Sequence, residues 1–416
     1  MSSSFLKRRI AMAFDKDFKP VLRFLVVSDI HYAEDPECAE RKRMSLALKT
    51  AYELSEKEDY SKLDALYVVG DFTKNGSEEQ MLLFKSTLDE YIKDETEVTL
   101  SLASHEFFHD GEEKALENFK KIFAMEPDTH KVINGYHFIS VTSTNGCHFD
   151  EAKQAWVAAE LKKAVADDPK RPIFFFQHPH IMGTVYGSAN WGEDELTAIL
   201  MNYPQIIDFS GHSHAPINDP RSIHQQHFTC LGTGTLSYFE LDEFDKVYGT
   251  IPPNEENAAQ MLIVEADADM RVRIYPYDLI TSNFFPKTWK IDTAWDVDSF
   301  LYTDARYKTT VSPYFEEGAK IVISDKKEDG FKVTFDQAKY DGDYVNDYNV
   351  IIKDGNGVTV RNSTVWSEYY FYNMPETISV SFEGLEKGRE YTVNVHANSF
   401  WKTRTKQPLI SEKIAL

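Results

Sequence analysis

The sequence predicts an α/β core followed by a smaller all-β sandwich, and three observations carry that expectation. Five apolar runs, at 24–27, 65–69, 98–103, 173–176 and 206–209, are four to six residues long and rich in Val, Ile and Phe. Such runs suit strands buried on both faces of a helix-covered sheet. Helix-period segments lie among them at 38–57, 77–94, 112–124, 151–166 and 193–202, so strand and helix alternate as in an α/β fold. From about residue 313 the texture changes to short β-rich runs punctuated by turns, the pattern of a sandwich.

In the second helical segment Ser77 stands three residues before Gln80, a capping-box spacing, and Asp150 precedes the fourth as an N-cap. After about residue 209 the helical period fades. Runs at 228–241, 260–265 and 271–275 read as further strands that close the first domain with antiparallel additions. The segment 284–312 holds Trp289 and Trp295 and is expected to pack between the two domains. Later strands are expected at 320–324, 331–335, 348–353, 378–382 and 391–397, with Asp354-Gly355 and Asn356-Gly357 as hairpin-turn pairs. The stretch 384–395 resembles the penultimate-strand region of fibronectin type III domains, with Tyr391 placed for a tyrosine corner. The expected division is therefore an α/β domain at 1–283, a linker at 284–312 and a sandwich at 313–416.

A chain of 416 residues is too long for one compact core, which also favours two domains. Hydrophobic and aromatic fractions of 42% and 13% indicate folded material and not disorder. No apolar stretch is long enough to cross a bilayer. Lys7-Arg8-Arg9 precedes an apolar run at 10–14, but Asp15 interrupts it too early for a secretory signal. A cytoplasmic location is expected, or an extracytoplasmic one if a leader has been trimmed. The net charge of −22 argues against long nucleic acids as partners, while small phosphates stay compatible because bound metal ions would supply local positive charge. Cys38, Cys147 and Cys230 match neither a disulfide framework nor a zinc finger and are expected as buried free thiols.

The five strand candidates share one further property: each ends in metal-binding residue types. These are Ser28-Asp29-Ile30-His31, Gly70-Asp71, Ser104-His105-Glu106, Gln177-His178-Pro179-His180 and Ser210-Gly211-His212-Ser213-His214. Sites in such sheets lie outside the carboxyl ends of the strands, so residues far apart in sequence converge on one rim. Imidazoles and carboxylates suit divalent transition metals better than magnesium or calcium, which favour all-oxygen shells. Asp29 and His31 would point to one face if their strand continued. His212 and His214 form the strongest local signal, since two imidazoles in one tight turn are seldom placed there for packing.

This order is similar to that of the calcineurin-like metallophosphoesterases, D-x-H, G-D, G-N-H-[DE], H, G-H-x-H, over roughly residues 21–283. Four blocks match outright, and the third departs: Ala103-Ser104-His105 stands where the family has Gly-Asn-His. The resemblance implies two packed sheets flanked by helices and two divalent ions, Mn, Fe or Zn. It implies Asp71 as the carboxylate bridging both ions, Asp29, His31 and His214 on one, and His178 and His212 on the other. Ser104 takes the place of an Asn ligand to that second ion. A hydroxyl is a shorter and poorer ligand, so the second ion is expected to be held less tightly, with water, His109 or Glu106 filling the gap. His105 has the position of the residue that touches the scissile phosphate and helps the leaving oxygen depart, with Glu106 able to orient its ring. A positioned histidine suits that role because its pKa lies near neutrality. His180 is expected either to contact substrate or to pack, and His109, His224 and His227 carry no further motif.

The implied activity is two-metal phosphoester hydrolysis by a metal-activated water; no nucleophile elbow accompanies any Ser or Cys. The Ser-Gly-His-Ser-His-Ala-Pro block and the fibronectin-like module resemble bacterial phosphodiesterases of this group more than its protein phosphatases or nucleotidases. The expected substrate is thus a small phosphodiester such as a cyclic nucleotide, with a phosphomonoester as the second reading. A third is a non-catalytic metal-binding scaffold whose second site has decayed at Ser104. Tyr369, Tyr370, Phe371 and Tyr372 are candidates for a carbohydrate or surface contact, against packing in the sandwich core or at the domain interface.

Overall fold

The computed structural model describes residues 13–416, so Lys7-Arg8-Arg9 and the start of the apolar run after it lie outside the described residues. Strands β1 (Pro20–Val27), β2 (Ala65–Val69) and β3 (Glu97–Ser101) pair in parallel, with α1 (Ala39–Glu56) and α2 (Glu78–Tyr91) as their connections. Helix α3 (Glu112–Phe123) leads to an antiparallel hairpin, β4 (Thr129–Ile133) and β5 (Tyr136–Ser140). After α4 (Glu151–Asp167) come β6 (Ile173–Phe176) and a short parallel pair, β7 (His180–Ile181) and β8 (Gly192–Glu193), flanking α5 (Ser188–Trp191). Helix α6 (Thr197–Leu200), β9 (Ile206–Ser210), β10 (Ile223–Gln225) and β11 (Thr229–Gly232) complete a second sheet in the order β10-β11-β9-β6-β5-β4. The chain then returns to the first sheet with β12 (Gln260–Asp267), β13 (Val272–Asp278), β14 (Asn283–Phe284) and β15 (Trp289–Ile291), giving β14-β13-β12-β1-β2-β3 with β15 on β13. Both expected caps form: the Ser77 hydroxyl accepts from the Gln80 N–H at 3.3 Å and the Asp150 carboxylate from Lys153 at 2.9 Å.

The two sheets pack face to face, which explains why the strand runs are apolar at every position. Phe24 and Val26 of β1 enter the space between the sheets with Tyr67, Phe138, Phe174, Phe176 and Phe209. Leu25 and Val27 point the other way, toward Met44, Leu48, Phe84 and Phe119 under the helices, as strand alternation requires. On the far side α4 and α6 cover Ile139, Phe175 and Ile206. Tyr67 and Phe176 stack at 4.0 Å across the seam. Each such fully buried side chain contributes about 1.5–3 kcal/mol of transfer free energy, so this seam anchors the strand ends that carry the polar residues.

Several expected elements differ. The 193–202 segment is not one helix: Glu193 belongs to β8, its buried carboxylate accepts from the Leu196 N–H at 3.2 Å, and only the single turn α6 follows. The 228–241 run is a strand only over Thr229–Gly232; beyond it the chain bends so that the Thr235 and Ser237 hydroxyls donate to the Asp29 carbonyl, each at 3.0 Å. Segment 284–312 does not simply lie between two domains. Its first part adds β15 to the first sheet, with Trp289 in the seam and Trp295 under Lys170, and it touches the C-terminal sandwich through Phe285 on Tyr372 and Tyr307 on Trp401. Of the thiols, Cys230 is buried but Cys38 and Cys147 are half-buried.

The sandwich sets β16 (Ile321–Lys327), β17 (Gly330–Asp336) and β20 (Thr377–Phe382) against β18 (Val345–Asp354), β19 (Thr359–Trp366), β21 (Glu390–Ser399), β22 (Leu409–Ile410) and β23 (Ile414–Ala415). Inward Val333, Phe335, Tyr348, Val350, Val393 and Val395 form its core. The Asp354 carboxylate accepts from the Asn356 and Val358 N–H groups at the expected turn, and the Tyr391 hydroxyl donates to the Glu386 carbonyl at 3.0 Å, the bond of a tyrosine corner. Tyr369 and Tyr370 are 0% and 1% exposed. Tyr369 donates to Asp219 at 2.7 Å, Tyr370 and Phe371 pack on Phe239, and Tyr372 on Phe285, so the four aromatics pack at the junction. Asn218 donates to the Tyr369 carbonyl at 2.6 Å, and Lys246 reaches Asp347 at 2.7 Å. The sandwich is thereby fastened to the loop that follows His214. Among the described residues no helix is long and apolar enough to cross a membrane.

Candidate metal centre

The carboxyl ends of β1, β2, β3, β6 and β9 meet at one rim, and the site is built from the loops leaving them. Asp29, His31, Asp71, His212 and His214 all have left-handed backbone, with φ of 51°, 58°, 48°, 73° and 52°. Non-glycine residues rarely adopt this region, which costs on the order of 1–3 kcal/mol each and persists only where neighbours enforce it. The enforcing contacts are visible. The N–H groups of Ile30 and His31 donate to the Asp71 carbonyl at 2.8 and 3.0 Å, and the His212 N–H donates to the Asp29 carboxylate at 3.1 Å. Asp29 and His31 thus converge through a left-handed turn and not through strand alternation. Close approach also fixes two glycines: a Cβ at Gly70 would fall 2.5 Å from His178 Nδ1, and one at Gly211 2.5 Å from Asp29 Oδ2.

The ligand-type atoms form three overlapping groups, each spanning at most 4.8 Å: Asp29, His31 and His214; His31, Asp71 and His105; Asp71, His178 and His212. His31 Nε2 lies 3.0 Å from His214 Nε2, His214 Nε2 3.4 Å from Asp29 Oδ1, His178 Nε2 3.0 Å from Asp71 Oδ2 and 3.2 Å from His212 Nδ1. Backbone carbonyls set the ring tautomers. His178 Nδ1 is 2.8 Å from the Val69 carbonyl, His214 Nδ1 2.9 Å from Tyr238 and His105 Nδ1 2.7 Å from Lys74. A carbonyl only accepts, so each Nδ1 carries the hydrogen, and the Nε2 atoms of His178 and His214 face the cluster. That orientation is how proteins aim imidazoles at a metal, and the mixed nitrogen and carboxylate donors fit a divalent transition ion.

Charge at the cluster is arranged consistently with this. Burial would lower the His178 pKa, but the adjacent Asp71 carboxylate overrides it and pushes the ring up to about 10. Burial opposes ionisation of Asp71 too, yet the His178 imidazolium holds it well below the usual carboxylate range. Burial raises Asp29, lowers His31, and with His178 takes His212 down to about 3, so both imidazoles are neutral. The His178 proton thus sits where cationic charge is stabilised, and a divalent ion bound there would displace it.

The other expected residues have distinct fates. Glu106 does not orient His105, whose ring is held by Lys74. Its fully buried carboxylate instead accepts from the Asp71, Thr73 and Ala103 N–H groups at 3.0, 2.8 and 2.9 Å and from the Thr73 hydroxyl at 2.8 Å. It is the post on which the Asp71 loop is wound. Burial, aided by the Asp71 charge, pushes it up to about 8, against the pull of those donors. Glu106 is therefore committed elsewhere and does not fill the Ser104 gap, and neither does His109, which is exposed and pairs with Asp110. Ser104 is buried beside Asp71, whose Oδ1 accepts the next N–H, that of His105, at 2.9 Å. His180 is buried and packs, bridging the Ser210 and Ser213 hydroxyls at 2.8 and 2.7 Å and bracing the loop that carries His212 and His214. His224 pairs with Asp304 at 3.2 Å, and His227 is exposed.

Three neighbours have no local signal in the sequence. Cys147 Sγ lies 3.8 Å from His212 Nε2, the Trp191 ring stands edge-on to His212 at 5.0 Å, and Tyr238 lies 4.2 Å from His214. They come from three separate loops, so only the fold brings them together.

Comparison with known proteins agrees with the rim geometry. Residues 22–216 match the family model described as calcineurin-like phosphoesterase, a shorter span than the motif order implied. No curated protein matches. Among solved structures, the chain is similar to the twitchin kinase region from C. elegans, at 13% identity, 25% of this chain, 16% of that chain and a TM-score of 0.20. It is also similar to an FN3 domain of human collagen XX, at 15% identity, 26% of this chain, 88% of that chain and a TM-score of 0.17. Rat CD45 extracellular domains d3–d4 give 13% identity, 31% and 56% coverage and a TM-score of 0.20. Likenesses that low carry no argument about this chain.

Proposed function

We propose that this protein hydrolyses a small phosphodiester with the help of two divalent ions, Mn, Fe or Zn. The carrying observation is the convergence at one rim of Asp29, His31, Asp71, His178, His212 and His214, five of them in enforced left-handed backbone, within a span matching the calcineurin-like phosphoesterase family. Asp71, with two carboxylate oxygens, would be shared; Asp29, His31 and His214 would hold one ion and His178 and His212 the other, where Ser104 would be a weak further ligand. Ions bound there would acidify a water and offset charge on the phosphoryl oxygens.

The chain supplies the rest. His105 is held through Nδ1 by the Lys74 carbonyl, so any proton it hands to the leaving oxygen would travel on Nε2. The preference for a diester over a monoester rests on the block from Ser210 to Pro216, which resembles that of bacterial phosphodiesterases of this group. The catalytic unit is read as residues up to 283, with the sandwich at 313–416 bracing the loop after His214.

Turnover of bis-p-nitrophenyl phosphate by metal-free protein given Mn2+ tests the reading. Hydrolysis that outpaces that of p-nitrophenyl phosphate supports it. A folded, metal-loaded protein that cleaves neither ester with any first-row divalent ion supports the scaffold reading instead.

A further inference from the structure

Away from the rim, β4, β5 and α4 carry a chain of four titratable side chains that the hydrolytic reading leaves unused. Glu160 Oε2 is 2.7 Å from His130 Nδ1, His130 Nε2 is 2.8 Å from His137 Nδ1, and His137 Nε2 is 3.2 Å from Asp167 Oδ2. The His130, His137 and Glu160 side chains are only 12%, 8% and 10% exposed. His137 pairs with Val132, two residues from His130 along the neighbouring strand, so the rings share a face as diagonal neighbours. Lys163 lies 2.6 Å from the other Glu160 oxygen.

Counting hydrogens defines what this chain can hold. Ionised carboxylates accept at both ends, so His130 Nδ1 and His137 Nε2 each carry N–H. The inner contact needs one more, which puts three hydrogens on four nitrogens and leaves a single imidazolium charge shared by the pair. Remove that inner proton and two neutral rings aim lone pairs at one point, each steered from behind by a carboxylate. Carboxylate–histidine pairs of this kind orient imidazole ligands to metals.

We propose that His130 and His137 form a separate transition-metal site that takes Zn2+ or Cu2+ in place of the shared proton, His130 through Nε2 and His137 through Nδ1, with water completing the shell. One proton leaves for each ion bound. The groups facing the pair are Glu160, Asp167 and Lys163, all from α4; the two carboxylates offset the added positive charge and Lys163 opposes it. Imidazole ligands suit ions of this class.

Equilibrium dialysis of the full chain against Zn2+ tests the site. Wild type should bind one more ion than His130→Ala or His137→Gln, with diester turnover unchanged in both variants. A second readout is spectroscopic and identifies the ligand atoms. In Asp71→Asn protein, one equivalent of Cu2+ should give an electron paramagnetic resonance spectrum with two-nitrogen hyperfine structure, absent from Asp71→Asn/His130→Ala. Equal ion counts in all three proteins, or a copper spectrum unaffected by the added His130→Ala change, would overturn the assignment and leave a hydrogen-bonded latch.

Discussion

Among the described residues, two places bring imidazole nitrogens to within 3.0 Å of each other, and they are built differently. At the rim, His31 and His214 meet at 3.0 Å from left-handed turns, and His214 is held from behind by the Tyr238 carbonyl. On the hairpin, His130 and His137 meet at 2.8 Å from regular antiparallel strands, each held by a carboxylate. A backbone carbonyl is fixed by the fold, whereas the Asp167 side chain that holds His137 is 65% exposed. The rim is therefore preorganised by the backbone, and the hairpin pair by two side-chain carboxylates, the buried Glu160 and the exposed Asp167. The first arrangement suits a permanent centre and the second an exchangeable ion.

The sharpest way to break the comparison is at Asp71, which belongs to two of the three rim groups. Asp71→Asn should remove both ions and lower diester turnover by more than about 10³-fold, beyond the effect of losing one transition-state hydrogen-bond donor. His130→Ala should leave turnover unchanged, and equal losses in the two would abolish the distinction. Next in size, His105→Gln should lower kcat by about 10²–10⁴-fold with metal content intact; an unaltered kcat would exclude proton donation by this ring. Gly70→Ala, which forces a Cβ into His178 at a φ of 76°, should cost about 1–3 kcal/mol of stability by chemical denaturation, with activity falling alongside. The pH dependence follows in size. Because Asp71 pushes His178 up to about 10, an ion must displace its proton, so apparent affinity rises about tenfold per pH unit until that value. Titration of Mn2+ binding at several pH values checks the sign, and affinity that falls as pH rises would contradict the ligand assignment. The smallest effect belongs to Ser104→Asn, expected to tighten retention of the weaker ion by about tenfold or less after mild chelation.

Much of this was legible in the sequence because buried parallel strands write themselves as apolar runs, and the rule that sites lie beyond strand ends needs no side-chain detail. The order of Asp29, His31, Asp71, His178, His212 and His214 was therefore enough to anticipate that they meet. Their left-handed backbone was not legible, since no local residue choice demands it; the contacts enforcing it come from Thr235, Ser237 and Asp71, distant in sequence. Glu106 misled for the same reason. Adjacency to His105 suggested an orienting role, while the fold turned the carboxylate inward onto the Asp71 loop. The β4–β5 hairpin left a readable mark in Asn134-Gly135, with φ of 50° and 83°, a pair that favours two-residue hairpin turns. Its half-buried β4 lacks the continuous apolar run that marks the central strands, and the paired histidines it carries became visible only once the strands were in register.

Anomalous diffraction from crystals grown with Mn2+, recorded on both sides of the manganese edge, tests the central claim most directly. The account predicts two peaks at the rim with Asp71 touching both, His31 and His214 at one and His178 and His212 at the other. A rim without anomalous density in protein that retains manganese, or ions bound only at other surfaces, would contradict it.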